Sequence, residues 1–222
     1  VNLVQEEAGQ MALRDYKAHM AVFNYLHHRY PKVPISLHAG ELSRAMAVKH
    51  PAHIREAIEI GHATRIGHGA ALLQEPHYQA LLQQMAKRSI AVEINLTSNQ
   101  RLIHMQGGAH PLPLYLKYHV PIVLSSDDEG FLRTSLTREY FIAAQRYRLP
   151  YHTLKQFSRN ALTYSFLPGR SLWQNPQHAQ VVPVCRQLSQ ACRRFLARSE
   201  KARLQWALER EFEVFERGIA RG

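Results

Sequence analysis

Four short apolar runs, residues 33–37, 64–68, 90–96 and 121–126, recur at about 30-residue spacing, and segments of helical character separate them. The helical segments are residues 51–60, 76–88 and 113–119, with 11–29 before the first run and 135–148 after the last. Strand and helix alternating at this spacing imply a parallel sheet with right-handed crossovers. Parallel strands buried on both faces read as continuous apolar runs, as these do. Within 11–29, Met11, Tyr16, Met20, Phe23 and Leu26 share a side, and Pro31 stops the helix. Within 135–148, Ser135 is the N-cap and Leu136, Tyr140, Phe141 and Ala144 face inward.

Each run ends in residues able to do chemistry. His38 and Glu41 follow the first, His68 closes the second between Gly67 and Gly69, Thr97-Ser98-Asn99 follow the third, and Asp127-Asp128 follow the fourth. Parallel α/β folds carry their active sites at the carboxyl ends of their strands. Two neutral imidazoles and a carboxylate form a zinc-type ligand set, and the remaining groups supply an acid and a base beside it. The plainer alternatives are a buried, hydrogen-bonded His38 with a solvated Glu41, and a solvated turn at Asp127-Asp128. Adjacent carboxylates directly after the apolar Ile122-Val123-Leu124 suit the solvated turn less well.

The net charge of +11 would attract polyanions. The basic residues are scattered, however, and around Arg203, Arg210 and Arg217 they alternate with glutamates as on a solvated helix face, so nucleic-acid binding is not expected. No run of about 18 apolar residues appears, and no membrane insertion is expected. The chain starts at Val1 with no basic n-region or apolar h-region, which leaves the compartment open between cytoplasm and periplasm. Cys185 and Cys192 lie seven residues apart; on one continuous helix their Cα atoms would stand roughly 10 Å apart, so buried thiols are expected and a bridge requires a break in the helix.

Beyond residue 151 the pattern is helical only. Residues 151–166 form one helix, and 200–219 another with Leu204, Leu208, Phe212, Phe215 and Ile219 in a stripe. Two regions are expected, 1–166 carrying the strands and 167–222 forming a loop and helical extension packed on it.

Taken together, His38-Ala-Gly-Glu41, Arg65-Ile-Gly-His68-Gly69 and Ser125-Ser-Asp-Asp128, in this order and spacing, resemble the adenosine deaminase family of metal-dependent aminohydrolases. Glu93-Ile-Asn-Leu-Thr-Ser-Asn99 extends the resemblance, and Ser165-Phe-Leu-Pro-Gly-Arg-Ser-Leu-Trp173 is similar to larger bacterial members. The resemblance implies an α/β fold, the C-terminal half (strands five to eight) of a (β/α)8 barrel, with zinc at its C-terminal mouth. It implies His38 and Asp127 as zinc ligands. Glu41 would donate a proton to purine N1, His68 would act as the base for the zinc-activated water, and Asp128 would accept on the purine N7 side. Hydroxide attack at C6 of adenosine or a related 6-aminopurine nucleoside then gives inosine-type product and ammonia. The cytidine-type deaminases differ in holding zinc by His/Cys/Cys, and neither cysteine here fits that pattern.

Two departures stand out. The family's His-x-His pair, which supplies two further zinc ligands, occurs nowhere in the 222 residues. Gln5 also stands where the family often has a glycine whose amide reaches the purine, and the residues before it, 1–4, read as the last of a strand. The competing reading is a truncated, non-catalytic relative that serves as a binding or interaction module. A half barrel would leave two sheet edges open, through which the chain could self-associate.

Overall fold

The computed structural model describes residue 2 and residues 4–220. The chain divides into two compact units, residues 1–154 and 155–222. The strand end expected over residues 1–4 falls partly on Val1 and Leu3, which lie outside the described residues.

In the first unit, helix α1 (Gln10–Arg29) leads into strand β1 (Ser36–Ala39). There follow α2 (Arg44–Lys49), α3 (His53–Glu59), β2 (Arg65–His68), α4 (Tyr78–Arg88), β3 (Ala91–Ile94), α5 (Leu96–Leu102), α6 (Leu112–Lys117) and β4 (Ile122–Leu124), then α7 (Glu129–Leu132), α8 (Leu136–Tyr147) and α9 (Tyr151–Thr163), the last reaching into the second unit. The four strands form one parallel sheet in the order β1-β2-β3-β4, so sheet order equals chain order. All four strands therefore point the same way, and their carboxyl ends share one edge.

The sheet is buried by aliphatic side chains from both strands and helices: Leu37, Ile66 and Ile94 from the strands, Ile54, Ile58, Leu81, Leu82 and Met85 from α3 and α4. Fully burying each such side chain contributes about 1.5–3 kcal/mol. Tyr115 on α6 is completely buried, and its hydroxyl donates to the Gly69 carbonyl at 2.8 Å. Gly69 has φ +57, and a Cβ there would stand 2.5 Å from the Tyr115 hydroxyl, so glycine is required after His68.

Several expected elements are displaced. The first strand starts at Ser36, later than residue 33, because Pro34 has no N–H to give a ladder and Val33 is exposed. Residues 97–99 extend no strand; they form part of α5, whose Thr97 N–H donates to the carboxylate of Glu139 at 3.0 Å. On α8 the buried residues are Glu139, Ile142 and Ala143, while Leu136 and Phe141 are exposed. The face is rotated because Glu139 turns inward to cap α5 and to accept from Thr134 Oγ1 at 2.9 Å. Ser135 caps α8 as expected, accepting from the Arg138 N–H. Met11 on α1 is also exposed, its place on the buried side taken by Ala12.

The second unit carries an antiparallel pair, β5 (Trp173–Asn175) and β6 (Gln180–Val181), then α10 (Gln190–Ala197) and α11 (Glu200–Ile219). Its core holds Leu172, Trp173, Leu196, Ala202 and a Cys185–Cys192 disulfide. The bridge corrects the expectation of thiols. Cys185 closes a short 3-10 turn that starts at Pro183, and α10 begins afresh after its cap Ser189, so the Cα atoms come within 4.7 Å. On α11, Ala202 and Gln205 are buried, whereas Phe215 and Ile219 are exposed. The expected stripe thus faces inward only over its first part.

Candidate active site

The shared carboxyl edge brings four of the five expected residues together. His38 lies within β1, His68 closes β2, and Glu41 follows β1 by one turn. One ligand atom from each of His38, Glu41 and His68 falls within 4.8 Å of the others, making them the metal-competent group among the described residues. His38 Nε2 is 3.5 Å from Glu41 Oε2, and His68 Nδ1 is 3.3 Å from Glu41 Oε1. The two imidazole centroids are 4.4 Å apart. Asp127 stands at the rim, with Oδ2 3.9 Å from His68 Nε2. Asp128 is exposed at the start of α7, where its side chain makes no capping bond.

Backbone conformation at this edge is unusual. His68 has φ +69 and Asp127 φ +55, a left-handed region that β-carbon-bearing residues seldom occupy. Nine other non-glycine residues among those described share it, several at helix caps, so the two are set apart by their place at the strand ends and not by this conformation.

Burial and neighbouring charge set the protonation states. Burial, reinforced by the charges of Asp127 and Glu7, pushes the Glu41 carboxyl up to about 7, against the opposing Ser98 hydrogen bond and His38 charge. For His68, burial and then the charge of His38 lower its pKa to about 3, so the ring is neutral at neutral pH. Burial opposes charge on His38 too, but Glu7, Glu41 and Asp127 outweigh it and raise this imidazole above its ordinary value. The amide groups of Asn95 and Asn99 lie 3.2 and 3.1 Å from His68 Nδ1 and orient the ring.

The donor set fits a zinc ion. His38 Nε2 is buried with no hydrogen-bond partner, and carboxylate oxygens stand on both sides of it at 3.4 and 3.5 Å. Two imidazoles with carboxylates are ligands that borderline divalent cations select.

One of the carboxylates beside His38 belongs to Glu7, which the sequence pattern left in an undistinguished polar stretch. Glu7 is 5% exposed and accepts from the Gly40 and Glu41 N–H groups at 2.8 and 2.6 Å. Burial pushes its carboxyl up, but His38, His53 and the Gly40 amide prevail and hold it well below the ordinary carboxylate range. Asn95, Ser98, Asn99 and Glu139 are likewise buried around the site. Of these, the polar Thr97-Ser98-Asn99 directly after an apolar run was the available signal.

Residues 1–172 match the adenosine deaminase family. The chain is similar to an adenosine deaminase of Enterococcus faecalis, 32% identical over 61% of this chain and 37% of the relative. It is also similar to an adenine deaminase of Chelativorans sp., 32% identical over 62% of this chain and 40% of the relative. The matched segment thus spans well under half the length of these curated relatives. In fold it resembles the adenine deaminase of Arthrobacter aurescens, with TM-score 0.59 and 20% identity over 75% of this chain and 47% of that one. It also resembles a zinc-bound amidohydrolase from Burkhoderia ambifaria, with TM-score 0.64 and 15% identity over all of this chain and 50% of that one. The four-stranded β/α array corresponds to part of such a barrel. The chain belongs to the adenosine deaminase family.

Proposed function

We propose that the chain carries one side of a zinc-dependent aminohydrolase site that removes the exocyclic amino group of adenosine or a related 6-aminopurine. The observation that carries this reading is the convergence of His38, Glu41, His68 and Asp127 where β1, β2 and β4 of the parallel sheet end. Family membership supports the reaction class, and the similar proteins named for adenosine and adenine support the substrate class.

His38 and Asp127 would hold the zinc. When bound, zinc lowers the pKa of a water towards 7 and so supplies a nucleophile at neutral pH. Glu41, whose carboxyl burial pushes above its ordinary value, donates a proton to purine N1 and makes C6 a better electrophile. His68 is oriented by two asparagine amides, and its place in the family pattern gives it the role of base towards the attacking water. Asp128, free of a capping bond, accepts on the N7 side. The net reaction exchanges the amino group at C6 for oxygen and releases ammonia.

The test is metal analysis paired with ammonia release from adenosine, deoxyadenosine and adenine. In a chain that also carries the His-x-His pair, His38→Ala and Asp127→Ala should lose zinc and turnover together, because each removes a ligand. Stoichiometric zinc with near-normal turnover in either variant overturns the ligand assignment. Because no His-x-His pair occurs in the chain, the 222 residues alone should bind zinc weakly and release little or no ammonia. Tight zinc with rapid ammonia release by this chain would show that the pair is dispensable.

A further inference from the structure

The turn that carries Glu41 has no backbone acceptor of its own. Gly40 and Glu41 present successive N–H groups at a left-handed bend, Gly40 having φ +86. Consecutive amides in such a bend form a concave, anion-accepting surface. Glu7 fills it from 33 and 34 residues away, one oxygen on each amide. Glycine is favoured at position 40, because φ +86 is a conformation that side chains bearing a Cβ rarely adopt.

Glu7 is itself held. Its Oε1 accepts from His53 Nδ1 at 2.7 Å. The His53 ring stacks on Tyr16 with centroids 3.7 Å apart and planes within 2°, and the Tyr16 hydroxyl donates to the His53 carbonyl at 2.8 Å. Glu7, His53 and Tyr16 are 5%, 6% and 7% exposed, so little water competes for these bonds. The second oxygen, Oε2, reaches past the turn to within 3.4 Å of His38 Nε2. A carboxylate serving only to cap a turn would need neither imidazole. Here one buried carboxylate touches the turn bearing Glu41, the ring of His38 and a braced histidine at once.

We propose that Glu7, braced by His53, is the positioning residue of this site: it fixes the Gly40–Glu41 peptide and thereby sets the Glu41 carboxyl against His38. The inference rests on the deaminase reading only for what Glu41 then does. Misplacing a reacting group by about 1 Å costs on the order of 100-fold in rate, so a residue with no contact to substrate can weigh heavily here.

The test compares Glu7→Gln, Glu7→Asp and His53→Phe in the full 222-residue chain by NMR of the histidine ring nitrogens and the glutamate side-chain carbons. Glutamine keeps the volume but sets an NH2 group against one of the donors. Phenylalanine keeps the stack on Tyr16 but removes the Nδ1 bond. The expected result is that the His38 ring and Glu41 carboxyl signals move in Glu7→Gln and move less in His53→Phe. They should return part of the way in Glu7→Asp, and the His62 ring, which contacts Asn24 and His27, should stay fixed. Lowered thermal stability with the His38 and Glu41 signals unmoved would overturn the proposal and leave Glu7 a structural residue. Ammonia release, where the chain supports it, should lose about 10- to 100-fold in kcat with KM within about threefold in Glu7→Gln. Absence of ammonia release from the unaltered chain with every aminopurine counts against the deaminase reading alone, and the NMR comparison still decides the role of Glu7.

Discussion

The Ser98 hydroxyl donates a hydrogen bond to Glu41 Oε1 across 2.9 Å, joining the first residues of α5 to the turn after β1. Ser98 is 1% exposed and the Glu41 side chain 12%, so water competes little for this bond. Ser98→Ala should therefore cost about 1–2 kcal/mol of stability, the range for a buried hydrogen bond left with one unsatisfied partner. Urea denaturation of the two proteins measures this. A change below about 0.3 kcal/mol would mean that the hydroxyl contributes no net stability.

Glu41→Gln keeps the shape of the side chain but cannot transfer a proton. In an active enzyme carrying this site, the loss should fall on kcat by about two to four powers of ten. Steady-state kinetics separate the cases. An unchanged kcat with a raised KM would reassign Glu41 to ground-state binding.

Glu75 gives a pH test away from the cluster. It is buried, its Oε1 accepts from the Ile54 N–H at 2.7 Å, and its Oε2 has no partner. Burial pushes its carboxyl up from 4.5 to about 7. The folded state thus holds the proton more tightly than the unfolded one. Stability from this group is full below pH 4.5 and falls as pH rises towards 7, by up to about 3 kcal/mol in all. Glu75→Gln should abolish that slope, so the variant gains on the natural chain as pH rises. Denaturant titrations at pH 5 and pH 7.5 should show the difference growing; a constant difference would refute a raised carboxyl.

The Cys185–Cys192 bridge closes a short loop inside the core of the second unit. Chain-entropy arguments give such a loop about 2–3 kcal/mol. Thermal melts with and without reductant should therefore differ for the natural chain and coincide for the Cys185→Ala/Cys192→Ala pair. Coincident melts for the natural chain would show that the bridge adds no stability.

Much of the architecture was legible because it is local. Apolar runs and amphipathic segments set β1 to β4 and their helices, and the residues ending each run fell on one edge because parallel strands share a direction. What escaped the sequence depends on partners distant along the chain. Glu7 becomes a site residue only through amides 33 and 34 positions away. Residues 97–99 turn helical with the help of Glu139, 42 positions from Thr97, and that same demand rotates the buried face of α8. The disulfide was missed for a different reason. The seven-residue spacing excludes a bridge on a continuous helix, and the break between Pro183 and Ser189 is a matter of local turn chemistry.

Sheet order equal to chain order carries a consequence for how the site is assembled. Each strand of the sheet pairs with the strand made just before it, so no strand has to be inserted between two others. As the polypeptide leaves a ribosome, β2 can add to β1, β3 to β2 and β4 to β3, each newcomer finding an open ladder. His38 and Glu41 are then made before His68, Ser98 follows to hold Glu41, and Asp127 is delivered last, at the outer strand. Site construction on this plan is vectorial. A translational pause or a nascent-chain truncation between β3 and β4 would yield the imidazole pair with Glu41 but without the rim carboxylate.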